Sequence, residues 1–179
     1  MEFEILYAIN NLHNPILDKI KVEITTLGDA GIFWIILAIV LIFKNKTRRC
    51  GILMLLSMVA GLIVGNGVLK NVIARSRPCW INPNIPLLIP NPDDFSFPSG
   101  HTLASFESAI MIFLHNKRWG AVALIIASLI SFSRLYLFVH FPTDVLGAIL
   151  LAVVISISLN YLWNKLEKIR EKKNAEIAK

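Results

Sequence analysis

Residues 51–69 read GILMLLSMVAGLIVGNGVL, a stretch without a single charge. A helix rises 1.5 Å per residue, so such a run covers about 28 Å, close to the roughly 30 Å of a bilayer's hydrocarbon core. Outward from Gly51–Leu69, four more apolar runs follow the same logic. They are Gly28–Phe43, with an extension upstream toward Ile24 as an alternative start, His101–Leu114 (short, with a polar start), Trp119–Val139 and Val145–Trp163. The composition agrees: 55% of the 179 residues are hydrophobic and only 17% are charged, whereas an average soluble domain is about a quarter charged. A soluble fold of this size has too little interior to hide so much apolar surface. The expected fold is therefore all-α, a polytopic transmembrane bundle of about five spans forming a single domain over residues 1–179.

Residues 1–22 are expected to form an interfacial helix or a sixth membrane helix. Phe3, Leu6, Ile9, Leu12, Ile16 and Leu17 recur at mostly helical spacing, but Asn10, Asn11, His13, Asn14 and Pro15 interrupt them. No basic segment or small-residue cleavage site marks this stretch as a secretory signal. With five spans, the links 44–49 and 115–118 and the basic tail 164–179 share one side. Lys44, Lys46, Arg48, Arg49, Lys117, Arg118, Lys165, Lys168, Arg170, Lys172, Lys173 and Lys179 all lie there. The positive-inside rule makes that side cytoplasmic and places the loop 75–98 on the outer face of the cell membrane. The net charge of +6 is thus topology, with no call for nucleic acid. Trp80, Trp119 and Trp163 near span ends suit the headgroup region. Five prolines after Pro78 preclude a regular helix in the outer loop, which is expected to fold as a lid or rim. Cys50 and Cys79, at opposite ends of the second span, are too far apart for a disulfide.

The polar residues on the outer side stand out against this background. Lys70 ends the second span and Arg77-Pro78 follows; Phe97-Pro98-Ser99-Gly100-His101 opens the third; Ser133-Arg134 lies in the fourth, His140 six residues on, and Asp144 starts the fifth. Ionisable residues at membrane depth mark a functional site by default. The spans offer only Glu107 and Asp144 as acidic partners, too few for Lys70, Arg77 and Arg134 together. An anionic substrate supplies the missing charge most simply, and phosphate fits: arginine forks match its oxygens and lysine adds a point charge. Ser99 and Gly100 at a helix start offer a hydroxyl and unpaired backbone N–H groups. His140 with Asp144 four residues on has the makings of a nucleophile whose tautomer a carboxylate fixes. His101, beside the anion-binding turn, is suited to protonate the leaving oxygen. Such a site requires no metal or other cofactor.

Lys70-x6-Arg77-Pro78, Pro98-Ser99-Gly100-His101 and Ser133-Arg134-x5-His140-x3-Asp144 together resemble the three-part signature of the type 2 phosphatidic acid phosphatase superfamily. Lipid phosphate phosphatases, undecaprenyl diphosphate phosphatases, glucose-6-phosphatase and vanadium haloperoxidases belong to it. The resemblance spans Lys70 to Asp144 with every signature position filled. It implies a phosphohistidine on His140 oriented by Asp144, His101 as general acid, and Lys70, Arg77, Ser99, Gly100 and Arg134 around the phosphoryl group. Membrane members commonly have six spans, so the N-terminal segment is the point of departure. The implied substrate is a lipid phosphate in the bilayer: undecaprenyl diphosphate, phosphatidylglycerol phosphate or phosphatidic acid. Two alternatives stand beside hydrolysis: phosphoryl transfer to another lipid or sugar, and an anion transport site built from the same cations. A haloperoxidase is disfavoured by the apolar spans.

Other residues have plainer readings. His13 and His115 read as structural; Asp93 and Asp94 as solvated loop carboxylates, with a substrate-headgroup or metal contact as the alternative; Arg75 as a headgroup or rim contact ahead of a catalytic role. Ser57, Gly61 and Gly65 form a small-residue packing stripe, and Asn66, one turn before Lys70, is placed to orient it.

Overall fold

The computed structural model describes residues 1–177, which contain helices and turns and no strand. Lys179, counted above with the basic tail, lies outside the described residues. Helices α1 (Glu2–Asn10) and α2 (Pro15–Thr26) open the chain. Their break falls where the sequence placed it. The Asn14 side chain accepts a hydrogen bond from the Leu17 N–H at 3.0 Å, and Pro15 takes the first helical position, where no N–H is needed. A 3-10 turn, Asp29–Gly31, leads into α3 (Ile32–Ile42). Eleven residues rise only about 16 Å, too short to cross a bilayer alone. Together α2 and α3 pass as one span bent by 42°. The run beginning at Gly28 thus reaches the length of a crossing only together with α2.

Helix α4 (Arg48–Gly61) runs without interruption into a π-helical segment, Leu62–Leu69, and then into α5 (Lys70–Ile73). Ala74 ends it in the left-handed region (φ 46°), turning the chain sharply into Arg75–Arg77. Next comes the short α6 (Pro78–Ile81), the one helical piece of the proline-rich loop. The remainder is α7 (Gly100–His115), α8 (Lys117–Tyr136) and α9 (Pro142–Ile177). Three stretches are long and apolar enough to cross a membrane on their own: Arg48–Ile81, Lys117–Tyr136 and Pro142–Glu176. Helix α9 rises about 54 Å, so its charged C-terminal part must project beyond the hydrocarbon.

Helix α7 is short because it is central. It packs against α4, α8 and α9, and Leu103, Ser105, Ala109, Met111 and Ile112 are buried along it. Its contacts with α3 include a hydrogen bond from the Trp34 indole N–H to Ser105 Oγ at 3.0 Å. Trp34, Ala38, Leu53, Met54, Ala127 and Ile130 complete that core. Ile36, Ile63, Ile125, Leu150 and Val154 point outward instead, as expected where the solvent is lipid and small residues allow close helix approach. Gly65 lies against Leu103 and Gly61 against Glu107, so the small-residue stripe faces α7. The chain is a multi-pass membrane protein. At one end of the bundle, Arg49 donates to Asn160 Oδ1 at 3.2 Å and pairs with Glu167 at 2.9 Å, tying α4 to the basic part of α9.

Between α7 and α8 the fit is tightest at Gly120, where an added Cβ would come within 2.1 Å of the Phe113 Cα. Backbone cannot yield as a side-chain tip can, so Gly120→Ala is expected to cost about 1–3 kcal/mol. Thermal unfolding in detergent checks this: the variant should melt several degrees below wild type.

Candidate active site

At the end of the bundle opposite Arg49, four chain reversals bring the charged groups together. They are the turn after α5, the proline-rich loop, the start of α7 and the 137–141 turn after α8. Phe138 takes the left-handed conformation (φ 58°) in the last of these, ending α8 so that Val139 and His140 turn inward. Two of the positive-φ residues, Ala74 and Phe138, thus sit at the joints that aim Arg77 and His140, as expected of strain retained at a functional site.

Lys70, Arg77, Gly100, His101, Arg134 and His140 line one cavity of about 450 Å³. The rest of its lining is mainly apolar, with Ile35, Leu55, Met58, Leu62 and Leu103, and holds Asn66, Asp94 and Glu107 as well. Lys70, Arg77 and Arg134 are 6%, 3% and 4% exposed, so none reaches bulk water. Arg77 donates from Nε to the Asp94 carbonyl at 2.6 Å, and from Nη1 to the Val139 carbonyl at 2.8 Å and to His140 Nε2 at 3.1 Å. Arg134 donates to Thr25 Oγ1 at 2.6 Å, while its Nε–H is buried without a partner in the protein. His101 Nε2 lies 2.9 Å from Asp29 Oδ1 in the 3-10 turn. A second cavity, about 420 Å³, opens between α2 and residues 88–92, with His101 and Arg134 again in its wall.

Because Arg77 occupies the His140 Nε2 lone pair, the ring's proton belongs on Nδ1. Nδ1 faces Ser96 Oγ at 3.3 Å and Asp144 Oδ2 at 3.7 Å. The second distance is too long for a hydrogen bond, so Ser96 bridges the pair, donating to Asp144 Oδ2 at 2.5 Å. Asp144 is fully buried and further satisfied by the Phe141 N–H at 2.7 Å and Arg75 Nη1 at 2.7 Å. Arg75 is therefore more than a rim contact. Its guanidinium spans Asp144, Thr143 and Glu2 and lies over the Phe141 ring, 4.1 Å from its centre. Glu2 in turn accepts from the Thr143 hydroxyl at 2.7 Å, so the first turn of α1 helps hold the start of α9.

Two expectations need correction. Asp94 is more than a solvated loop carboxylate: with its side chain 48% exposed, it still forms ion pairs with both Lys70 and Arg77. The acidic count made from the spans alone missed it because it arrives from the loop; Asp93 beside it, also exposed, forms none among the described residues. Partial burial alone would raise the Asp94 carboxyl, but the hydrogen bonds and charges of Lys70 and Arg77 outweigh this and pull it down to about 2. Asn66 is not bonded to Lys70; its amide lies against Gly100. Ser99 is fully buried and is not among the residues lining the cavity. Its hydroxyl accepts from Thr102 at 3.0 Å, and its N–H donates to the Asp144 carbonyl at 3.3 Å. His13 and His115 are structural as expected, contacting the Tyr136 carbonyl at 2.9 Å and the Met111 carbonyl at 2.8 Å. Cys50 and Cys79 are both free and buried. Ser96 carried no signal in the sequence beyond nearness to the Pro98–His101 motif, and Asp29, far from every motif, carried none.

Comparisons with known proteins give the family. Residues 51–168 match the model of the PAP2 superfamily. The chain belongs to that superfamily. Within it, the chain is 36% identical over 155 residues to an undecaprenyl-diphosphatase of Sulfolobus acidocaldarius, covering 86% of this chain and 74% of that one. It is 34% identical to the undecaprenyl-diphosphatase BcrC of Bacillus subtilis, covering 87% and 80%. Among solved structures, a transmembrane PAP2 type phosphatidylglycerolphosphate phosphatase from Bacillus subtilis superposes with a TM-score of 0.73. It is 31% identical, with 90% of this chain and 84% of that one covered. The chain is thus a membrane-embedded PAP2 phosphatase, a phosphoric ester hydrolase.

The depressed carboxyl of Asp94 fixes a pH dependence. A group held below its unfolded value contributes stability above that value and loses it as pH falls through the folded one. Asp94 therefore stays anionic down to about pH 2 and competes for Lys70 and Arg77 with any other anion throughout the neutral range. Asp94→Asn should bind inorganic phosphate several-fold more tightly than wild type at pH 7, read as the inhibition constant of phosphate. Weaker inhibition would mean that Asp94 holds the cradle in shape instead of competing for it.

Proposed function

We propose that the cavity holds the phosphate end of a membrane lipid, with Lys70, Arg77 and Arg134 on its oxygens and the chain of the lipid along Leu55, Met58 and Leu62 toward the bilayer. One observation carries the reading: three buried cations and a histidine whose Nε2 accepts from Arg77 share a cavity with a mainly apolar remaining lining. The relatives act on undecaprenyl diphosphate or phosphatidylglycerol phosphate, and both place a terminal phosphate beside an apolar chain.

The chemistry follows from the tautomer. As phosphoryl oxygens take up the Arg77 N–H and displace Asp94, His140 Nε2 is freed to attack phosphorus. The N–P bond forms as the bond to the lipid oxygen breaks, and His101 delivers a proton to that oxygen. Positive charge growing on the His140 ring is met through Nδ1–H by Ser96 and Asp144, with Arg75 fixing the carboxylate. Water then attacks phosphorus and gives a proton to His101, releasing phosphate and restoring both histidines. Preorganised cations around the equatorial oxygens supply most of the stabilisation, as in phosphoryl transfer generally. Gly100 at the start of α7 lets the phosphate approach the backbone closely, and Ser99 braces the Asp144 backbone from behind. The three basic segments at the far end of the bundle put the C-terminus in the cytoplasm and the site at the outer face of the cell membrane. Residues 1–179 work as a single domain on this reading, with the loop 75–98 as the rim of the site.

Phosphate release from purified protein supplied with undecaprenyl diphosphate, phosphatidylglycerol phosphate and phosphatidic acid tests the proposal. Wild type should hydrolyse at least one of them in the presence of EDTA, and His140→Ala should lose at least 1,000-fold in kcat while melting within a few degrees of wild type. Full activity in that folded variant would sink the mechanism. Arg75→Ala should lower kcat more than it raises KM, because Arg75 touches Asp144 and lies outside the cavity lining.

A further inference from the structure

Hydrolysis leaves one group in the cavity without a task. Glu107 lies on α7 six residues after His101, about 9 Å further along the axis, with its carboxyl against Gly61 of α4. It lines the same cavity as the cations and is 1% exposed. Both carboxyl oxygens are buried without a hydrogen-bond partner. Gly61 of α4 makes the room: a Cβ there would come within 2.3 Å of Oε1 and 2.5 Å of Oε2. The surrounding lining, Leu55, Met58, Leu62, Leu103 and Ala104, is apolar. Asn66 Oδ1, between Glu107 and the cations on the π-helical segment, is likewise buried without a partner, and π-helical turns recur at functional sites.

Two orphaned acceptors along one wall call for a donor. A buried polar group left unpaired costs on the order of 1–3 kcal/mol, more for a carboxyl, and the protein places no donor there. A metal ion is a poor occupant, since hard cations take six or more oxygens and no group of three His, Cys, Asp or Glu side chains is found among the described residues.

We propose that Glu107 reads a hydroxyl group on the lipid substrate, next to the phosphate ester, and so selects hydroxyl-bearing lipid phosphates over those that have none. This rests on the lipid phosphatase reading for the direction in which the ligand lies. Whether the carboxyl is ionised or neutral, its oxygens accept from a hydroxyl, and Asn66 lies on the way for a second one. A lipid without such a group would bury Glu107 unpaired, and rejection of an analogue lacking a hydrogen-bonding group is the strongest form of discrimination a site can build.

The test uses two lipid phosphonates, which bind without turnover: one with a hydroxyl on the second carbon from phosphorus, the other its deoxy counterpart. Full-length wild type in detergent should prefer the hydroxyl form by about tenfold or more. In Glu107→Leu that preference should vanish, and Glu107→Gln, which keeps a hydrogen-bonding oxygen, should retain most of it. Leucine removes an uncompensated buried polar group, so the variant is expected to fold, and its melting temperature checks that. Equal affinities in wild type, or a preference that survives in Glu107→Leu, would overturn the inference. Phosphate release measured in parallel separates the two readings. A preference without hydrolysis keeps the subsite and removes the phosphatase mechanism, and hydrolysis without a preference does the reverse.

Discussion

Three cations with no access to bulk water, at one end of a bundle whose outer surface faces lipid, set the terms for everything around them. An isolated charge in such surroundings is tolerated only if paired or placed in a polar cavity. Lys70 and Arg77 meet that condition through Asp94. Arg134 meets it less completely: Thr25 takes one donor, and Nε is left with none. One carboxylate against three cations offsets a third of their charge, and the remaining positive charge faces a cavity. A site of this kind attracts an anion before any catalytic group is considered, and the phosphatase chemistry is built onto that electrostatic preparation.

The fold serves the same constraint. Helix α7 can be as short as sixteen residues because it is surrounded by other helices, and its N-terminus can therefore lie at the depth of the cations. The π-helical segment before Lys70 shifts the register of that helix, so that Asn66 and Lys70 both reach the cavity lining. At the membrane surface, the aromatic cluster of Phe3, Tyr7, Phe138 and Phe141 packs α1 onto the turn that carries His140. The N-terminal helix is thus a brace for the active site, through Glu2 and Arg75 and through these rings.

Much of this was legible in the sequence because the relevant signals are strong over short distances. Apolar runs of membrane length point to the helices α4, α8 and α9, and the spacing from Arg134 to His140 to Asp144 marks the residues that the turn after α8 brings to the cavity end of the bundle. What escaped is what depends on long-range closure. Gly28 looks like the start of a span only until α2 is seen to continue it through a 42° bend. Asp94 reads as a loop carboxylate because nothing local says that a proline-rich segment folds back over Lys70 and Arg77. Ser96 has no motif of its own, yet it converts a 3.7 Å gap between His140 and Asp144 into a connected pair. Arg75, two residues from a recognised arginine, bonds Asp144 from outside the cavity lining.

The central claim is that the cradle delivers a phosphoryl group to His140 Nε2. Rapid acid-free quenching during turnover of a lipid whose terminal phosphate carries a radioactive label, followed by proteolysis and mapping, tests it most directly. The account predicts a phosphoryl group on the peptide containing His140, stable to base, lost in acid, and appearing and decaying at rates that match turnover. Steady hydrolysis with no label ever found on that peptide, under conditions that preserve phosphohistidine, would contradict it.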